Sequence, residues 1–360
     1  MSDVEISRRA PRVEEVAACP LCQSTRSRPA FSAPDRFHET PGEFSYRRCV
    51  ACSTVFQSPR VVAEDLPLCY PTEYYTHSAN EEAAPALPHI PSPEELQNTA
   101  GRARLRAGVM SAVRGHTLGG AWGTAGRVLA RNRAMRERAY FNILLDELLP
   151  REGETQALDV GCGSGQLMQQ LQVAGWQVQG TEWDERAARV AEARTGSTVH
   201  SGDLRDIELP LASFDLIVLS HVFEHLTEPL PTLERICELL RPGGRAVLMY
   251  PNIRSLGARI FGDCWFPLEV PRHMMLPPLR ATARAARKAG LHPASARTLT
   301  GANTVHWLGH SRTYREGKTG PDSEPQIGAQ DRLLTTVEKW LVRFHLPLGE
   351  EALIVLQRPV

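Results

Sequence analysis

The spacing of apolar residues along the chain changes its period near residue 155. From there, short apolar runs alternate with stretches of helical spacing, and the runs cover residues 156–160, 177–181, 214–220 and 245–250. Alternation of this kind is typical of parallel strands joined by helical crossovers. The pattern therefore predicts an α/β fold built on a doubly wound parallel sheet. Two further apolar runs, 294–300 and 351–357, predict two more strands.

The flanking segments have other patterns. Between those last two strands, residues 301–350 read as an insertion that contains an amphipathic helix over 331–345. Before the sheet, residues 101–140 carry nine arginines and one acid, Glu137, and glycines interrupt them, so we expect helix in several pieces. From Ala130 an apolar stripe of Met135, Ala139 and Ile143 predicts a helix that packs on the sheet. The arginines indicate a solvated face or, alternatively, a surface for an anionic substrate or carrier.

Two cysteine pairs stand near the N-terminus. Cys19 and Cys22 form one CxxC motif, and Cys49 and Cys52 form a second. Two such turns can bring four thiolates around one ion, which is the tetrahedral sulfur shell that structural Zn²⁺ prefers. The spacing predicts a closed, non-catalytic zinc ribbon. The alternatives are disulfides, which a reducing compartment disfavours, and a redox-active CxxC, which requires a βαβ context that this segment lacks.

A zinc ribbon can also bind nucleic acid, so a nucleic-acid-binding adaptor is the non-enzymatic alternative. Its support is a group of arginines near the knuckles: Arg26, Arg28, Arg47 and Arg48. The formal net charge of the whole chain is zero, which offers no long-range attraction to nucleic acid. We therefore expect a small-molecule partner and consider nucleic acid a weaker interpretation.

Composition narrows the class of protein further. Hydrophobic residues make up 42% and charged residues 23% of the 360 positions, as in an ordinary globular protein. No apolar run approaches the ~18 residues of a membrane span, so no membrane partner is expected. Acids and arginines occupy the first residues where a secretory leader would be apolar, which favours a cytoplasmic location. The presence of only three lysines among abundant Ala and Pro indicates a bacterial coding bias.

The run LDVGCGSG, residues 158–165, follows the first predicted strand directly. In a doubly wound sheet, ligands bind at the carboxyl ends of the strands, and the loop after the first strand makes the closest backbone approach. Gly161, Gly163 and Gly165 lack the Cβ atoms that would obstruct that approach. The spacing is GxGxG and not the GxGxxG of nicotinamide sites, which leaves an NAD-dependent oxidoreductase as the less favoured enzyme class.

This loop resembles the first motif of class I SAM-dependent methyltransferases, and later segments agree with that family in order and spacing. Residues 178–182 resemble the end of its second strand, 202–204 its adenine-binding motif, 214–221 its fourth strand, and 240–244 the turn before its fifth. The resemblance covers roughly residues 135–300 and the final strand. The CxxC pairs followed by Tyr74 and Tyr75 are similar to a subset of these enzymes that carries a zinc-binding head, including some that act on sugars.

The resemblance implies S-adenosylmethionine (SAM) as the cofactor and a Rossmann-like sheet. Asp159 would position the glycine loop and the charged methionine end of SAM, and Glu182 would accept hydrogen bonds from the ribose hydroxyls. Asp203 would lie near the exocyclic amine of adenine. The full set of implied cofactor-binding residues is Asp159, Gly161, Gly163, Gly165, Glu182, Asp203, Leu204 and Ser220.

Three histidines are candidates for the base that removes a proton from the acceptor. His221 and His225 follow the fourth strand, and His273 lies in the region where this family builds its acceptor pocket. Histidine suits this task because its pKa lies near neutrality. His273 is the favoured base, whereas the Glu-His-Leu context of His225 is common across the family and favours an architectural role. Tyr74, Tyr75 and Trp265 are further candidates to line the acceptor side.

The combined hypothesis is a metal-independent methyltransferase with a zinc ribbon over 1–75, a linker and helical cap over 76–149, and a methyltransferase domain over 150–360. In similar zinc-headed sugar C-methyltransferases a Glu directly precedes the histidine, whereas this chain has Arg272 there. That difference favours a hydroxyl oxygen of a sugar or specialised metabolite as the acceptor. Methylation at carbon or nitrogen, on a nucleotide-linked sugar or another metabolite, is the alternative.

Overall fold

The computed structural model describes residues 9–70, 93–97, 101–116, 118–140, 145–320 and 323–360. The linker predicted around 78–93 lies almost entirely outside these ranges, and Tyr74, Tyr75 and Ile143 lie outside them as well. No helix in the described ranges combines the length and the apolar character required to cross a bilayer.

Strands and helices follow the predicted alternation. The strands are β1 Val13–Glu14, β2 Ser27–Pro34, β3 Glu43–Cys49, β4 Val55–Gln57, β5 Arg60–Val61, β6 Gln156–Val160, β7 Gln177–Glu182, β8 Val199–Ser201, β9 Phe214–Ser220, β10 Leu240–Pro251, β11 Met275–Leu276, β12 His292–Leu299 and β13 Glu351–Gln357. The α-helices are α1 Pro93–Gln97, α2 Arg102–Val113, α3 Gly120–Leu129, α4 Arg133–Ala139, α5 Gln166–Ala174, α6 Glu185–Thr195, α7 Pro229–Leu239, α8 Leu256–Phe261, α9 Leu279–Lys288, α10 Thr304–Arg315 and α11 Ala329–Arg343.

Seven strands form the main sheet in the order β12-β13-β10-β9-β6-β7-β8. Parallel pairing joins β6 to β7, β6 to β9 and β7 to β8, and β12 runs antiparallel to β13. Nearly every residue of β9 is buried, as expected of a strand covered on both faces. The predicted doubly wound α/β fold is therefore confirmed.

Three details differ from the sequence expectations. Residues 240–244, predicted as a turn, already belong to β10, which passes through Gly243 with a positive φ of 81°. The helix expected from Ala130 is shorter, because α4 ends at Ala139 and a single 3₁₀ turn follows at Asp146–Leu148. The predicted insertion holds two helices, α10 and α11. Residues 101–140 are helical in pieces, as expected.

The chain folds into two compact units. The first unit comprises Met1–Tyr74, Ser220–Cys237 and Leu248–Pro359, and the second comprises Tyr75–Leu219, Glu238–Val247 and Val360. The division into a zinc ribbon over 1–75, a linker and cap over 76–149 and a methyltransferase domain over 150–360 stays a prediction.

In the first unit the cysteine-bearing head shares a core with a later part of the chain. The head strands β2, β3 and β4 form a four-stranded sheet whose remaining strand is β11, with Met275 opposite Phe56. Apolar side chains of both parts form one cluster, in which Phe44, Val55 and Trp265 are almost fully buried. The segment that leads to β11 is thus held by the head.

In the second unit, glycine permits close contact between helices. Gly165 caps the N-terminus of α5 with φ of 80°, and a Cβ built there would lie 2.9 Å from the Cα and Cβ atoms of Ala191 in α6. The glycine loop therefore needs Gly165 both for its backbone conformation and for the space beside α6.

We predict that Gly165→Ala destabilises the protein more than Gly153→Ala does. Gly153 has a similar φ of 83° but no heavy atom within 4 Å of a built Cβ. Both variants should lose about 1 kcal/mol because alanine is strained at positive φ, and Gly165→Ala should lose roughly 1–3 kcal/mol more through the clash with Ala191. Urea unfolding monitored by circular dichroism measures both; equal losses would show that the helix contact is unimportant.

Candidate active site

Four cysteines converge in the head of the first unit. The Sγ atoms of Cys19 and Cys52 lie 3.6 Å apart and those of Cys22 and Cys49 3.5 Å apart, and all four lie within 4.8 Å of one another. Sulfurs that share a tetrahedral Zn²⁺ at about 2.3 Å lie about 3.8 Å apart. A disulfide would need about 2.05 Å. The predicted ligand set is therefore assembled with the spacing of a metal site.

The two knuckles have the same backbone design. In each, the amide four residues after the first cysteine donates to that cysteine's carbonyl, Gln23 to Cys19 at 2.9 Å and Ser53 to Cys49 at 3.0 Å. Gln23 and Ser53 both adopt positive φ, 64° and 66°. Non-glycine residues rarely adopt this conformation. Its presence in both turns indicates that the arrangement of the cysteines imposes the backbone shape.

The glycine loop of the second unit begins at the end of β6. The amides of Gly161 and Cys162 both donate to the Thr181 carbonyl, at 2.8 and 3.0 Å, which ties the loop to β7. Gly161, Gly163 and Gly165 all have positive φ. The alternate glycines thus give the loop a course that side-chain-bearing residues would strain.

Glu182 connects the loop to the end of β7. Its Oε2 accepts the Gly163 amide at 2.7 Å, and its Oε1 accepts the amides of Trp183 and Asp184 at 2.8 and 3.0 Å. These bonds fix the carboxylate at the carboxyl edge of the parallel strands. The neighbouring Trp183 keeps 56% of its surface exposed, and sequence reasoning missed this exposed indole.

Asp159 lies buried beneath the same loop. Its Oδ2 has no hydrogen-bond partner among the described residues. Burial, with a smaller contribution from the charge of Glu182, raises the pKa of Asp159 to about 8. The carboxyl group is therefore largely protonated at neutral pH and would ionise if a cation were placed beside it.

The other predicted cofactor residues are distributed as follows. Asp203 accepts the Arg205 amide and guanidinium, and this hydrogen bonding lowers its pKa despite partial burial. Leu204 is 4% exposed, and Ser220 ends β9 as a half-buried residue. Asp203 is thus an ionised acceptor, and Leu204 offers apolar surface only at the edge of the core.

The three candidate histidines come together in the first unit with two glutamates. His221 has a positive φ of 56° directly after β9. Its Nδ1 lies 3.4 Å from Glu224 Oε1, and its Nε2 lies 3.4 Å from Glu351 Oε1. Burial lowers the pKa of His221, but its interactions with the two carboxylates outweigh burial and raise the pKa to about 10. His221 is therefore a cation at neutral pH.

His225 and His273 are neutral. Their rings meet edge to face with centroids 4.6 Å apart. Burial lowers the pKa of each to about 4. His225 Nδ1 lies 3.1 Å from the Arg272 carbonyl and 3.0 Å from the Tyr70 hydroxyl, and His273 Nδ1 lies 2.9 Å from the Pro267 carbonyl. Because a carbonyl can only accept, His273 Nδ1 carries the hydrogen and His273 Nε2 keeps a lone pair. The Arg272 carbonyl calls for the same tautomer of His225, whereas the Tyr70 hydroxyl can donate to His225 Nδ1 in the other tautomer.

Sequence reasoning missed the carboxylates beside His273. Glu269 Oε2 lies 3.5 Å and Glu224 Oε1 lies 3.9 Å from His273 Nε2. The residue directly before His273 is Arg272, whereas Glu269 precedes His273 by four residues and Glu224 comes from the turn after β9. The i, i+4 spacing of Glu269 and His273 was the available signal.

Trp265, a predicted lining residue, is buried and donates its indole N–H to Glu350.

Arg272 connects this cluster to the head, because its Nε donates to Glu269 Oε1 at 3.2 Å. It is fully buried and donates to both carboxylate oxygens of Asp35, at 2.8 and 3.1 Å, and to the Cys69 carbonyl at 2.9 Å. Asp35 also accepts the amides of Phe37 and His38. Arg272 therefore joins the head to the segment that carries His273.

Comparison with known proteins agrees with the loop geometry. Residues 131–296 match a family model described as a methyltransferase domain, and the match includes the glycine loop, Glu182, Asp203 and the three histidines. This segment is a class I SAM-dependent methyltransferase domain.

Curated proteins that are similar to this chain include named O-methyltransferases and an uncharacterized protein. A ubiquinone biosynthesis O-methyltransferase of Cereibacter sphaeroides is 31% identical over 141 residues, which is 37% of this chain and 57% of that protein. A ubiquinone biosynthesis O-methyltransferase of Ralstonia nicotianae is 28% identical over 156 residues, 40% of this chain and 66% of that protein. An uncharacterized 37.1 kDa transposon protein of Streptomyces fradiae is 33% identical over 126 residues, 33% of this chain and 36% of that protein.

The chain thus spans between 36% and 66% of the length of these curated relatives. Among solved structures, a SAM-dependent methyltransferase from Mesorhizobium loti shares 20% identity at a TM-score of 0.41, over 59% of this chain and 94% of that one.

We predict that Arg272→Met destabilises the protein by about 3–5 kcal/mol, because it leaves the buried Asp35 carboxylate without its counter-ion. The matched control is Arg189→Met, whose ion pair with Glu185 spans 3.7 Å with side chains 67% and 76% exposed. The control should change stability by less than about 1 kcal/mol. Chemical denaturation measures both variants, and a loss for Arg272→Met as small as that of the control would contradict the structural role of this pair.

Proposed function

We propose that the protein transfers a methyl group from SAM to a hydroxyl oxygen of a small molecule, such as a sugar or a specialised metabolite. The observation that carries this proposal is the glycine loop tied to Glu182 above the Asp159 carboxyl group, whose Oδ2 has no hydrogen-bond partner within the described ranges. Backbone amides, a fixed carboxylate and a buried acid at the carboxyl edge of a parallel sheet suit a ligand with hydroxyl groups and a cationic end.

The residues of the loop fit SAM. Asp159 would lie under the charged methionine end, where an ammonium group would satisfy its free oxygen and favour its ionised form. Glu182 would accept hydrogen bonds from the ribose hydroxyls, and Asp203 would accept one from the exocyclic amine of adenine. The exposed Trp183 indole offers a flat apolar face to a planar base. When bound, SAM supplies a methyl group made electrophilic by its sulfonium.

The histidine cluster is proposed to handle the acceptor's proton. A hydroxyl oxygen becomes a good nucleophile only when its proton is removed, and a positioned group within hydrogen-bond reach can remove it. His273 and His225 are neutral, so each keeps one ring-nitrogen lone pair, whereas His221 is cationic and suits an anionic or developing negative charge. His273, flanked by Glu269, stays the favoured proton acceptor of the three.

Two observations bear on the atom that is methylated. The relatives from Cereibacter and Ralstonia are named O-methyltransferases, which supports oxygen as the acceptor atom. The proximity of Glu269 and Glu224 to His273 supports carbon as the alternative acceptor atom. It gives His273 the glutamate neighbour that similar sugar C-methyltransferases have, although Arg272 is the residue directly before it. Methylation at oxygen is the function that we put forward, and methylation at carbon is the second candidate.

We further propose that the four cysteines hold a structural Zn²⁺. Four thiolate charges this close together are unfavourable without a cation. The hydrogen bond with Cys52 and, after it, burial raise the pKa of Cys19, which favours its neutral thiol. A divalent cation would compensate the thiolates, and four sulfur ligands would leave no open position for catalysis. The thiolate site fits a reducing, cytoplasmic setting. We retain the division into head, cap and methyltransferase domain at 75 and 149 as part of this proposal.

The nucleic-acid adaptor gains no support from the arginines of the head. Arg47 donates to the side chain and carbonyl of Ser27, and Arg48 donates to the Ser53 carbonyl. Both guanidinium groups thus bond within the head and contribute to its strand pairing. A small-molecule acceptor remains the proposed partner.

We predict roughly micromolar binding of S-adenosylhomocysteine, accompanied by proton release at pH 7. The pKa of Asp159 is about 8, so its proton must leave when the ligand's ammonium group is seated beside it. The affinity should therefore rise between about pH 6.5 and about pH 8.5. Calorimetry in two buffers of different ionisation enthalpy measures the released proton, and NADH serves as the competing ligand.

Asp159→Asn should bind more weakly and lose the buffer dependence, whereas the exposed Asp206→Asn should behave as the parent protein. Labelled SAM incubated with a panel of hydroxyl-bearing acceptors then tests transfer itself. Binding of NADH in place of S-adenosylhomocysteine, or no binding by folded, zinc-loaded protein, would contradict the proposed function.

A further inference from the structure

We propose that Glu224, His225 and His273 form a second metal site, which binds a divalent first-row transition-metal ion. A ring nitrogen of each histidine and a carboxylate oxygen of Glu224 lie within 4.8 Å of one another. The three residues come from two separate segments, the turn after β9 and the segment before β11. Their convergence is thus a property of the fold and not of local sequence spacing.

The histidines are oriented as metal ligands usually are. In such ligands the ring nitrogen that does not bind metal donates its hydrogen to a carboxylate or a backbone carbonyl, which fixes the tautomer. The Arg272 carbonyl does this for His225 and the Pro267 carbonyl does it for His273, both at Nδ1. His273 therefore offers Nε2 as a neutral donor, and His225 does so in the tautomer that donates to the Arg272 carbonyl.

Glu224 supplies the independent observation. Its side chain is completely buried, and neither carboxylate oxygen has a hydrogen-bond partner among the described residues. The nearest ring nitrogens are His221 Nδ1 at 3.4 Å and His273 Nε2 at 3.9 Å. The protonated His221 lies near Oε1, but Oε2 has no partner among the described residues, and a buried carboxylate oxygen left in that state is costly. A bound ion would satisfy all three groups together.

The ligand set defines the class of ion. Two imidazoles and one carboxylate suit Zn²⁺, Fe²⁺ and their neighbours, and three protein ligands leave positions open for water or substrate. Such a site differs in kind from the four-cysteine cluster, which is closed. The absence of thiolates also makes the two sites spectroscopically distinct.

This inference rests on the proposed function and specifies how the cluster acts in it. An acceptor hydroxyl that occupies an open position on the ion would lose its proton at lower pH than in water. The Glu269 carboxylate, whose Oε2 is 3.5 Å from His273 Nε2, is at hand to take that proton. His273 would then be a ligand, and the ion would perform the task otherwise assigned to the imidazole.

The test is a count of bound metal on the full-length protein. Protein depleted of metal is titrated with Co²⁺, and the content at saturation is measured by plasma mass spectrometry. We expect about two ions per chain. One should give the intense thiolate-to-cobalt charge-transfer bands of the cysteine site, and the other should give only weak visible bands without charge transfer.

Variants assign the second ion. Glu224→Gln and His273→Ala should each bind about one ion and keep the thiolate bands, and these bands also report that the head is folded. His292→Ala, at an exposed histidine of the same unit, should still bind two. A single thiolate-bound ion in the parent protein, or two ions in both cluster variants, would overturn the proposal. Calorimetry with S-adenosylhomocysteine tests the methyltransferase function separately, so either result can fail alone.

Discussion

The first unit depends on one buried ion pair, Arg272 with Asp35. Two charges removed from water are tolerated only when their hydrogen bonds are satisfied. Here the guanidinium bonds both carboxylate oxygens and the Cys69 carbonyl, while Asp35 also accepts backbone amides of its own turn. The pair fixes the residue before His273 to the head, and the backbone carbonyl of Arg272 in turn holds His225. The positions of both rings therefore follow from it.

The four-cysteine head therefore helps to hold the segment that carries His273. The head contributes three strands to the sheet that β11 completes, and the Tyr46 hydroxyl donates to the His273 carbonyl at 2.9 Å. A metal bound by the four cysteines would rigidify the knuckles from which those strands extend. The metal bound by the four cysteines would then affect methyl transfer only indirectly, by fixing the positions of side chains such as His273. A closed sulfur shell is consistent with this indirect role.

Local sequence signals predicted the parts of the molecule that are built locally. The CxxC spacing predicted the sulfur cluster, and the glycine loop with its preceding apolar run predicted β6 and the turn after it. Of the carboxylates around His273, only Glu269 could be predicted in this way, from its i, i+4 spacing. Glu224 lies almost fifty residues away in the chain, and the role of Arg272 depends on Asp35, which is more distant still. Adjacency in sequence suggested that His273 lacked a carboxylate, whereas the fold supplies two.

Similar reasons explain the smaller errors. The apolar stripe from Ala130 predicted a helix that continues past Ala139, but α4 ends at Ala139, and its Arg136 pairs with Asp146 of the 3₁₀ turn Asp146–Leu148. Gly243 was read as part of a turn, but its positive φ is accommodated inside β10. In both cases a tertiary contact or a strand neighbour outweighs the local preference.

Amide hydrogen exchange with and without S-adenosylhomocysteine examines whether the glycine loop is the cofactor site. If it is, exchange should slow in the peptides that contain residues 160–166 and 182–184, because the ligand would cover amides that now bond only to Glu182 and to neighbouring carbonyls. Slowing confined to the four-cysteine head, or no change at saturating ligand, would contradict the assignment of SAM to this loop.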